Sequence, residues 1–138
     1  MVRRFFAIPA IIIVIGAVTS SPVGAHHSFA AAFDANALIT VQGVITQVKL
    51  ANPHSWIYLD VKDANGNVAQ WGFEAQTPTA LIRSGVTPDV FKVGSTVTIR
   101  GCHARDVTKN EGAAREIVLA DGRSYIIGPK GNEPDANR

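Results

Sequence analysis

The sequence predicts an all-β domain: a small barrel of five or six strands, with one short helix between strands 3 and 4. From Leu38 onward apolar and polar residues alternate in short runs, the period of half-buried strands. A Thr77-Pro78 pair after the third run signals the start of a helix. A long first strand followed by this order of elements is typical of the OB fold, so we expect an OB-like barrel.

The first predicted strand is long and changes phase once. Its apolar residues lie at odd positions up to Val41 and at even positions from Val44 onward. Gly43 lies at the change, and a β-bulge at a glycine inserts one residue and reverses the buried face. We therefore predict a bulge at Gly43, which lets one bent strand serve two parts of the barrel.

The next two runs, 55–62 and 68–74, predict a hairpin around the turn sequence 63–67. A three-residue loop with a left-handed Gly66 gathers the apolar residues of both strands on one face. In that register the inward pairs are Ile57 with Phe73, Leu59 with Trp71, and Val61 with Ala69. The outward pairs are Trp56 with Glu74, Tyr58 with Gly72, and Asp60 with Gln70.

The remaining elements are shorter. Thr77-Pro78 begins the helix, Leu81 and Ile82 give it an apolar side, and Gly85 ends it. A second Thr-Pro pair at 87–88 predicts one more helical turn. Runs 95–100, 113–120 and 123–127 predict the last strands, and 105–112 a polar loop.

The first 25 residues are predicted to be a cleavable signal peptide. A basic start is followed by the apolar segment Phe5–Val18, and small residues end at Ala25, as signal peptidase requires. The apolar segment is shorter than the ~20 residues of a membrane-spanning helix. The predicted plan is a signal at 1–25, an N-terminal arm at 26–37, the OB-like barrel at 38–127 and a flexible tail at 128–138.

Charge and export together limit the partners. The chain has 13 Lys+Arg and 11 Asp+Glu, and removal of Arg3 and Arg4 with the signal leaves 11 of each. A near-neutral exported protein is not expected to bind nucleic acid. We expect a periplasmic or secreted protein of a Gram-negative bacterium with no stable membrane anchor, and its partner to be a small ligand or a periplasmic protein.

Two histidine motifs carry a resemblance to a known family. The chain resembles an uncharacterised family of small exported bacterial proteins with an OB-like domain. The matching residues are His-His-Ser-Phe at 26–29, Gly43, Asn-Pro-His-Ser-Trp at 52–56 and Val-Gly-Ser-Thr-Val at 93–97. The resemblance implies export and the fold, and it implies no assigned activity.

The histidines are the candidate metal ligands. Cleavage after Ala25 makes His26 the N-terminus, where the α-amine and the imidazole form a bidentate chelate. His54 could complete a three-nitrogen site, or His27 could contribute through an amine–amide–imidazole chelate. These nitrogens suit copper or zinc. The alternative is that His26 and His27 are ordinary solvated residues near a terminus.

A second candidate site is the outer face of the hairpin. His54, Trp56, Tyr58 and Glu74 would lie together there, on the surface that OB barrels often use for ligands. The alternative is that Trp56 and Tyr58 pack under the N-terminal arm, against Phe29 or Phe33.

No nucleophile–base pair or paired carboxylate predicts catalysis, so a non-enzymatic binding module is expected. A copper-dependent oxidase of the histidine-brace type is the enzymatic alternative. Cys102 and His103 are expected to be a buried thiol and a rim residue.

Overall fold

The computed structural model describes residues 29–128. The predicted signal peptide, His26, His27 and the tail after residue 128 lie outside the described residues. Within residues 29–128, no helix has the length and apolar character needed to cross a membrane. The described part is a closed β-barrel with short helical segments.

Six strands form one sheet whose two ends meet. The elements are α1 (Phe29–Ala32), β1 (Phe33–Lys49), β2 (Ser55–Lys62), β3 (Val68–Ala75), α2 (Pro78–Arg83), a 3-10 turn (Pro88–Phe91), β4 (Thr96–Ala104), β5 (Glu111–Leu119) and β6 (Ser124–Ile126). The ring runs β1–β2–β3–β5–β4 and back to β1, with β3 and β5 parallel and the other neighbours antiparallel; β6 pairs with β5 beside it. This is the predicted OB-like barrel, with its helix between strands 3 and 4.

β1 serves two neighbours as predicted, but its bulge is not at Gly43. The pairing with β2 slips between Ile45 and Gln47, so the extra residue is Thr46. Ile45 is buried in the barrel, whereas Val44 faces outward and is 39% exposed. Because Val44 and Ile45 are both apolar, the sequence does not show which of the two faces the core.

Gly43 has a packing role instead. A β-carbon there would lie 2.6 Å from the carbonyl oxygen of Asp60 and 3.1 Å from the β-carbon of Leu59. β1 and β2 therefore approach each other too closely at this point for any side chain. The glycine permits tight coiling of the long strand rather than a change of face.

The β2–β3 hairpin has the predicted register at every pair. Ile57 lies opposite Phe73, Leu59 opposite Trp71 and Val61 opposite Ala69. Gly66 has a φ of 89°, a left-handed conformation that glycine adopts without strain. The inner face of the hairpin therefore contributes one continuous apolar surface to the core.

The core fills the barrel and is covered at one end by α2. Its fully buried side chains come from all five strands of the ring, from the 3-10 turn and from Ile127. α2 begins at Pro78, where the Thr77 hydroxyl accepts a hydrogen bond from the Ala80 backbone N–H at 3.2 Å. Leu81 enters the core, but Ile82, predicted to share its side, is 72% exposed.

The described part of the N-terminal arm, from Phe29 onward, packs on β4 and β5 rather than on the hairpin. α1 spans Phe29–Ala32, and β1 begins at Phe33, before the expected start at Leu38. The two phenylalanine rings lie 5.3 Å apart and pack against Cys102, Ala104 and Ala113. The prediction that the arm covers Trp56 and Tyr58 with Phe29 or Phe33 is therefore wrong. Small side chains on β4 and β5 leave the space that these rings fill.

Candidate functional site

The outer face of β2 carries two neighbouring aromatic rings. The ring centroids of Trp56 and Tyr58 are 6.2 Å apart, and the ring planes differ by 20°. They face out because β2 alternates, with Ile57 and Leu59 fully buried on the other side. We call this pair the aromatic platform.

The platform extends over Gly72 on the adjacent strand. A β-carbon at Gly72 would lie 3.3 Å from Tyr58 Cε1 and 3.6 Å from Trp56 Cε3. The glycine therefore leaves the space into which both rings lean. On the other side, the Lys49 ammonium lies 5.2 Å from the Tyr58 ring centroid, a cation–π distance.

His54 and Glu74 form a pair beside the platform, as the outward alternation predicted. His54 Nδ1 lies 2.6 Å from Glu74 Oε1, and the side chains are 41% and 21% exposed. His54 immediately precedes β2, and Glu74 lies on β3 opposite Trp56. A carboxylate close to a ring nitrogen is a common outer partner of a functional imidazole and orients the ring.

A cleft opens on the same face between Tyr58 and the start of β5. Its volume is about 260 Å³, and Gly72 forms part of its floor. Tyr58 is the register partner of Gly72, and Gly72 is the partner of Glu111 in the parallel β3–β5 pair. The missing side chain in the middle of this row keeps the floor of the cleft low between the Tyr58 ring and Glu111. The other residues that line it are Gln70, Lys109 and Asn110.

The sequence analysis missed the β5 side of this cleft. Lys109, Asn110 and Glu111 fall in the predicted polar loop, and no sequence signal places them next to β3. The contact depends on the parallel pairing that closes the barrel, with the Gly72 N–H donating to the Asn110 carbonyl at 2.9 Å. A glycine directly opposite Tyr58 was the available hint, since glycine in a strand often marks a close approach of another group.

Cys102 and His103 do not share a site. Cys102 is fully buried under the N-terminal arm, and desolvation raises the pKa of its thiol. His103 faces the other side of β4, with its ring edge-on to Trp71 at 5.5 Å and its Nδ1 2.8 Å from the Ala104 carbonyl oxygen. Adjacent residues of a strand point to opposite faces, so the thiol and the imidazole diverge.

An apolar groove lies at the end of the barrel that α2 covers. Its volume is about 290 Å³. Leu50 and Ile82, which are 58% and 72% exposed, stand at its edge. The lining is aliphatic and aromatic apart from Thr87. This groove lacks the polar groups that fix the orientation of a polar ligand.

Among residues 29–128, no group of three or more His, Cys, Asp or Glu side chains is placed to hold a metal ion. The described part supplies His54, held by Glu74, as one candidate ligand. The other two predicted ligands, His26 and His27, lie outside the described residues. α1 begins two residues after His27, and its Phe29 packs against the cluster that includes Ala113, the register partner of Glu74.

Comparisons with known proteins identify a family without an activity. No curated protein matches the sequence. One solved structure that matches, a crystal structure of TiaS in complex with an isoleucine tRNA and ATP, has 17% sequence identity and a TM-score of 0.43. The match covers 59% of this chain and 18% of that one, and a likeness this slight says nothing about function. A family model described as a family of unknown function, DUF6152, matches residues 14–114, so the chain belongs to that family.

Proposed function

We propose that the protein is an exported, non-enzymatic OB-like binding module that holds its ligand on the outer face of β2 and β3. The observation that carries the proposal is the aromatic platform, two half-buried rings side by side on the outer face of β2, while Phe29 and Phe33 pack elsewhere, against β4 and β5. Large aromatic side chains on a monomer surface are costly unless a partner covers them. The partner is a small ligand or a protein of the periplasm.

The surroundings of the platform support a specific site. An aromatic surface supplies contact area, and the His54–Glu74 pair beside it supplies directed polar groups. The two side chains are in contact, with His54 Nδ1 2.6 Å from Glu74 Oε1, and side chains already placed next to each other lose less conformational entropy on binding than free ones. Ligand sites typically combine apolar area with a few such placed polar groups.

The two tryptophans provide an internal control for the test. Trp56 belongs to the platform, whereas Trp71 packs against the barrel core. In ¹⁵N NMR spectra each indole N–H gives its own signal, assigned with Trp56→Phe. The probes are neutral hexose oligomers, a lysine tetrapeptide and a glutamate tetrapeptide. We expect at least one probe to shift the Trp56 signal and leave the Trp71 signal in place.

Two titration results would contradict the proposal. One is that no probe moves the Trp56 indole signal. The other is that a probe moves the signals of Trp56 and Trp71 equally, which indicates a change of the whole fold rather than binding at the outer face. A Trp56→Ala variant that binds the active probe as tightly as the parent protein also rejects the platform.

A second candidate function is binding of copper or zinc by His26, His27 and His54. The observation that favours it is the contact of His54 Nδ1 with Glu74 Oε1 at 2.6 Å. Metal-binding histidines commonly donate their second ring nitrogen to a carboxylate, which orients the ring and raises its basicity. Export with cleavage after Ala25 would provide the α-amine.

Calorimetry with Cu(II) and Zn(II) tests this candidate on protein whose N-terminus is established by mass spectrometry. We expect His54→Gln and His26→Gln each to weaken binding by about 10-fold or more, since removal of an outer carboxylate partner alone typically costs 10–100-fold. His103→Gln is the matched control, because the ring of His103 lies against Trp71 on another face. Equal affinity in all three variants, or a start at a residue other than His26, rejects the site.

A further inference from the structure

We propose that the cleft between Tyr58 and Glu111 binds neutral pyranose sugars. The inference rests on the proposed function and deepens it, because it assigns a ligand class to one part of the outer face. The cleft has one aromatic wall, Tyr58, and one polar wall, Lys109 to Glu111. A sugar ring has the matching pair of surfaces, an apolar C–H face and a rim of hydroxyl groups.

The width of the cleft suits a single ring. Tyr58, Gly72 and Glu111 lie side by side on three adjacent strands. Neighbouring strands are about 4.8 Å apart, so the backbones of the two outer residues are separated by ~10 Å. Because Gly72 has no side chain, the floor between the two walls is low, and only the Tyr58 and Trp56 rings lean over it from β2.

The polar wall is held in place by the backbone. The Gly72 N–H donates to the Asn110 carbonyl oxygen at 2.9 Å, which fixes the end of the β4–β5 loop against β3. Asp106 holds the beginning of the loop, since its carboxylate accepts from the Thr108 N–H at 3.1 Å and the Lys109 N–H donates to its carbonyl oxygen at 3.2 Å. The cleft is therefore formed before a ligand arrives.

The side chains of the cleft include both hydrogen-bond donors and hydrogen-bond acceptors. Gln70 and Asn110 carry amides that donate and accept, Lys109 donates and Glu111 accepts. Among residues 29–128, no side-chain hydrogen bond or ion pair involves these four groups. Each sugar hydroxyl both donates and accepts, so a polyol can satisfy this mixed set.

The charge balance disfavours a charged ligand. The cleft has one cation, Lys109, and one anion, Glu111. A second cation, Lys49, lies 5.2 Å from the centroid of the Tyr58 ring and does not line the cleft. An anionic ligand would meet Glu111 and a cationic one would meet Lys109, whereas a neutral polyol encounters neither repulsion.

The test is an NMR titration of the purified protein with monosaccharides and short oligomers of glucose, mannose, galactose and N-acetylglucosamine. We expect at least one series to shift the backbone amide signals of Gly72 and Glu111 in a saturable manner. Affinity should increase from the monosaccharide to the oligomer, because the adjoining Trp56 ring extends the stacking surface. Oligolysine, oligoglutamate and a short oligothymidylate are titrated in parallel.

Three variants make the result specific. Tyr58→Ala should weaken saccharide binding by about 5- to 10-fold, the effect of losing one aromatic stacking contact. Glu111→Gln keeps the shape and removes the charge, so binding of a neutral sugar should change by less than about 3-fold. Gln42→Ala, an exposed position on β1 that pairs with β4, is the matched control and should have no effect.

The outcomes separate this inference from the proposed function. If oligolysine shifts the same signals and Glu111→Gln abolishes that shift, the ligand is a cation and the sugar inference is wrong, while the outer-face site stands. Saccharide shifts confined to the groove around Leu81 overturn the inference as well. If neither saccharides nor charged probes move any outer-face signal, both proposals fail.

Discussion

A β-carbon at Gly101 would test the close approach of β4 and β5 directly. This atom would lie 2.0 Å from the carbonyl oxygen of Ala113 and 3.1 Å from the α-carbon of Ala114. Ordinary C···O contacts are about 3.3 Å or longer, so β4 and β5 would have to separate by ~1 Å. Both atoms belong to the backbone, and no side-chain rotation relieves the clash.

The cost follows from the contacts that such a separation disturbs. Gly101 pairs with Ala114, and Cys102 pairs with Ala113 in the next position. Loss of about two ladder hydrogen bonds at ~1 kcal/mol each, with about 1–3 kcal/mol of overpacking, exceeds the ~0.4–1 kcal/mol that Gly→Ala gains through the unfolded state. We expect Gly101→Ala to lower the free energy of unfolding by about 2–4 kcal/mol.

Urea unfolding monitored by circular dichroism measures this difference, and thermal unfolding should show a Tm lower by about 10–25 °C. Gly72→Ala is the matched control, because its β-carbon would contact only the Tyr58 and Trp56 rings, at 3.3 Å and beyond. It should change the free energy of unfolding by less than about 1 kcal/mol. If Gly101→Ala is no less stable than Gly72→Ala, the close approach of β4 and β5 is not real.

Three further predictions concern single groups. Thr77→Ala removes the hydroxyl that caps α2 and should lower the free energy of unfolding by about 0.5–2 kcal/mol in urea titrations; no change would mean that the cap is not formed in solution. The Cys102 thiol is buried and its pKa is raised, so iodoacetamide should modify it slowly in the native protein and rapidly in urea. The Asp63 carboxylate accepts hydrogen bonds from Asn67, which lower its pKa below the ordinary 3.8. It therefore stabilises the fold above that pH and ceases to do so as the pH falls, and Asp63→Ala should reduce the loss of stability on acidification.

The hairpin shows what local pattern can determine. With Gly66 left-handed, one register alone places Ile57, Leu59, Trp71 and Phe73 on a common face, and that register is the observed one. The prediction succeeds because strand period and turn type are both encoded within about twenty consecutive residues. The same two rules place Trp56 and Glu74 opposite each other on the outer face.

The wrong predictions concern positions where the local sequence pattern does not decide the structure. Gly43 is the expected place for a bulge because glycine often marks one, but the strand slips at Thr46, where the partner strand decides the register. Adjacent Val44 and Ile45 are both apolar, so composition could not decide which of them is buried. The packing of Phe29 on β4 and β5 was equally hidden, because it depends on the small size of Ala104 and Ala113.

The candidate site also has one part that the sequence predicts and one part that it does not. His54 and Glu74 are predicted as neighbours, since both follow from the register of one hairpin. The sequence does not predict that Lys109 and Glu111 form a wall beside them. These residues reach the hairpin only through the parallel pairing of β3 with β5. No local rule fixes a contact between strands so far apart in the sequence, and this contact is what converts a flat aromatic surface into a cleft.

Fold stability alone does not account for the composition of this face. The barrel requires apolar residues inside, and that requirement is met by Ile57, Leu59 and Phe73. It does not require Trp56 and Tyr58 on the opposite face, and a glycine within a strand costs about 0.5–1 kcal/mol relative to alanine. Two outward-facing aromatic rings beside a strand glycine are departures from what folding favours, and such departures concentrate where a protein uses its surface. Because Tyr58 and Gly72 line the cleft and the Trp56 ring adjoins it, the outer face of β2 and β3 is better explained as a binding surface than as the by-product of a barrel.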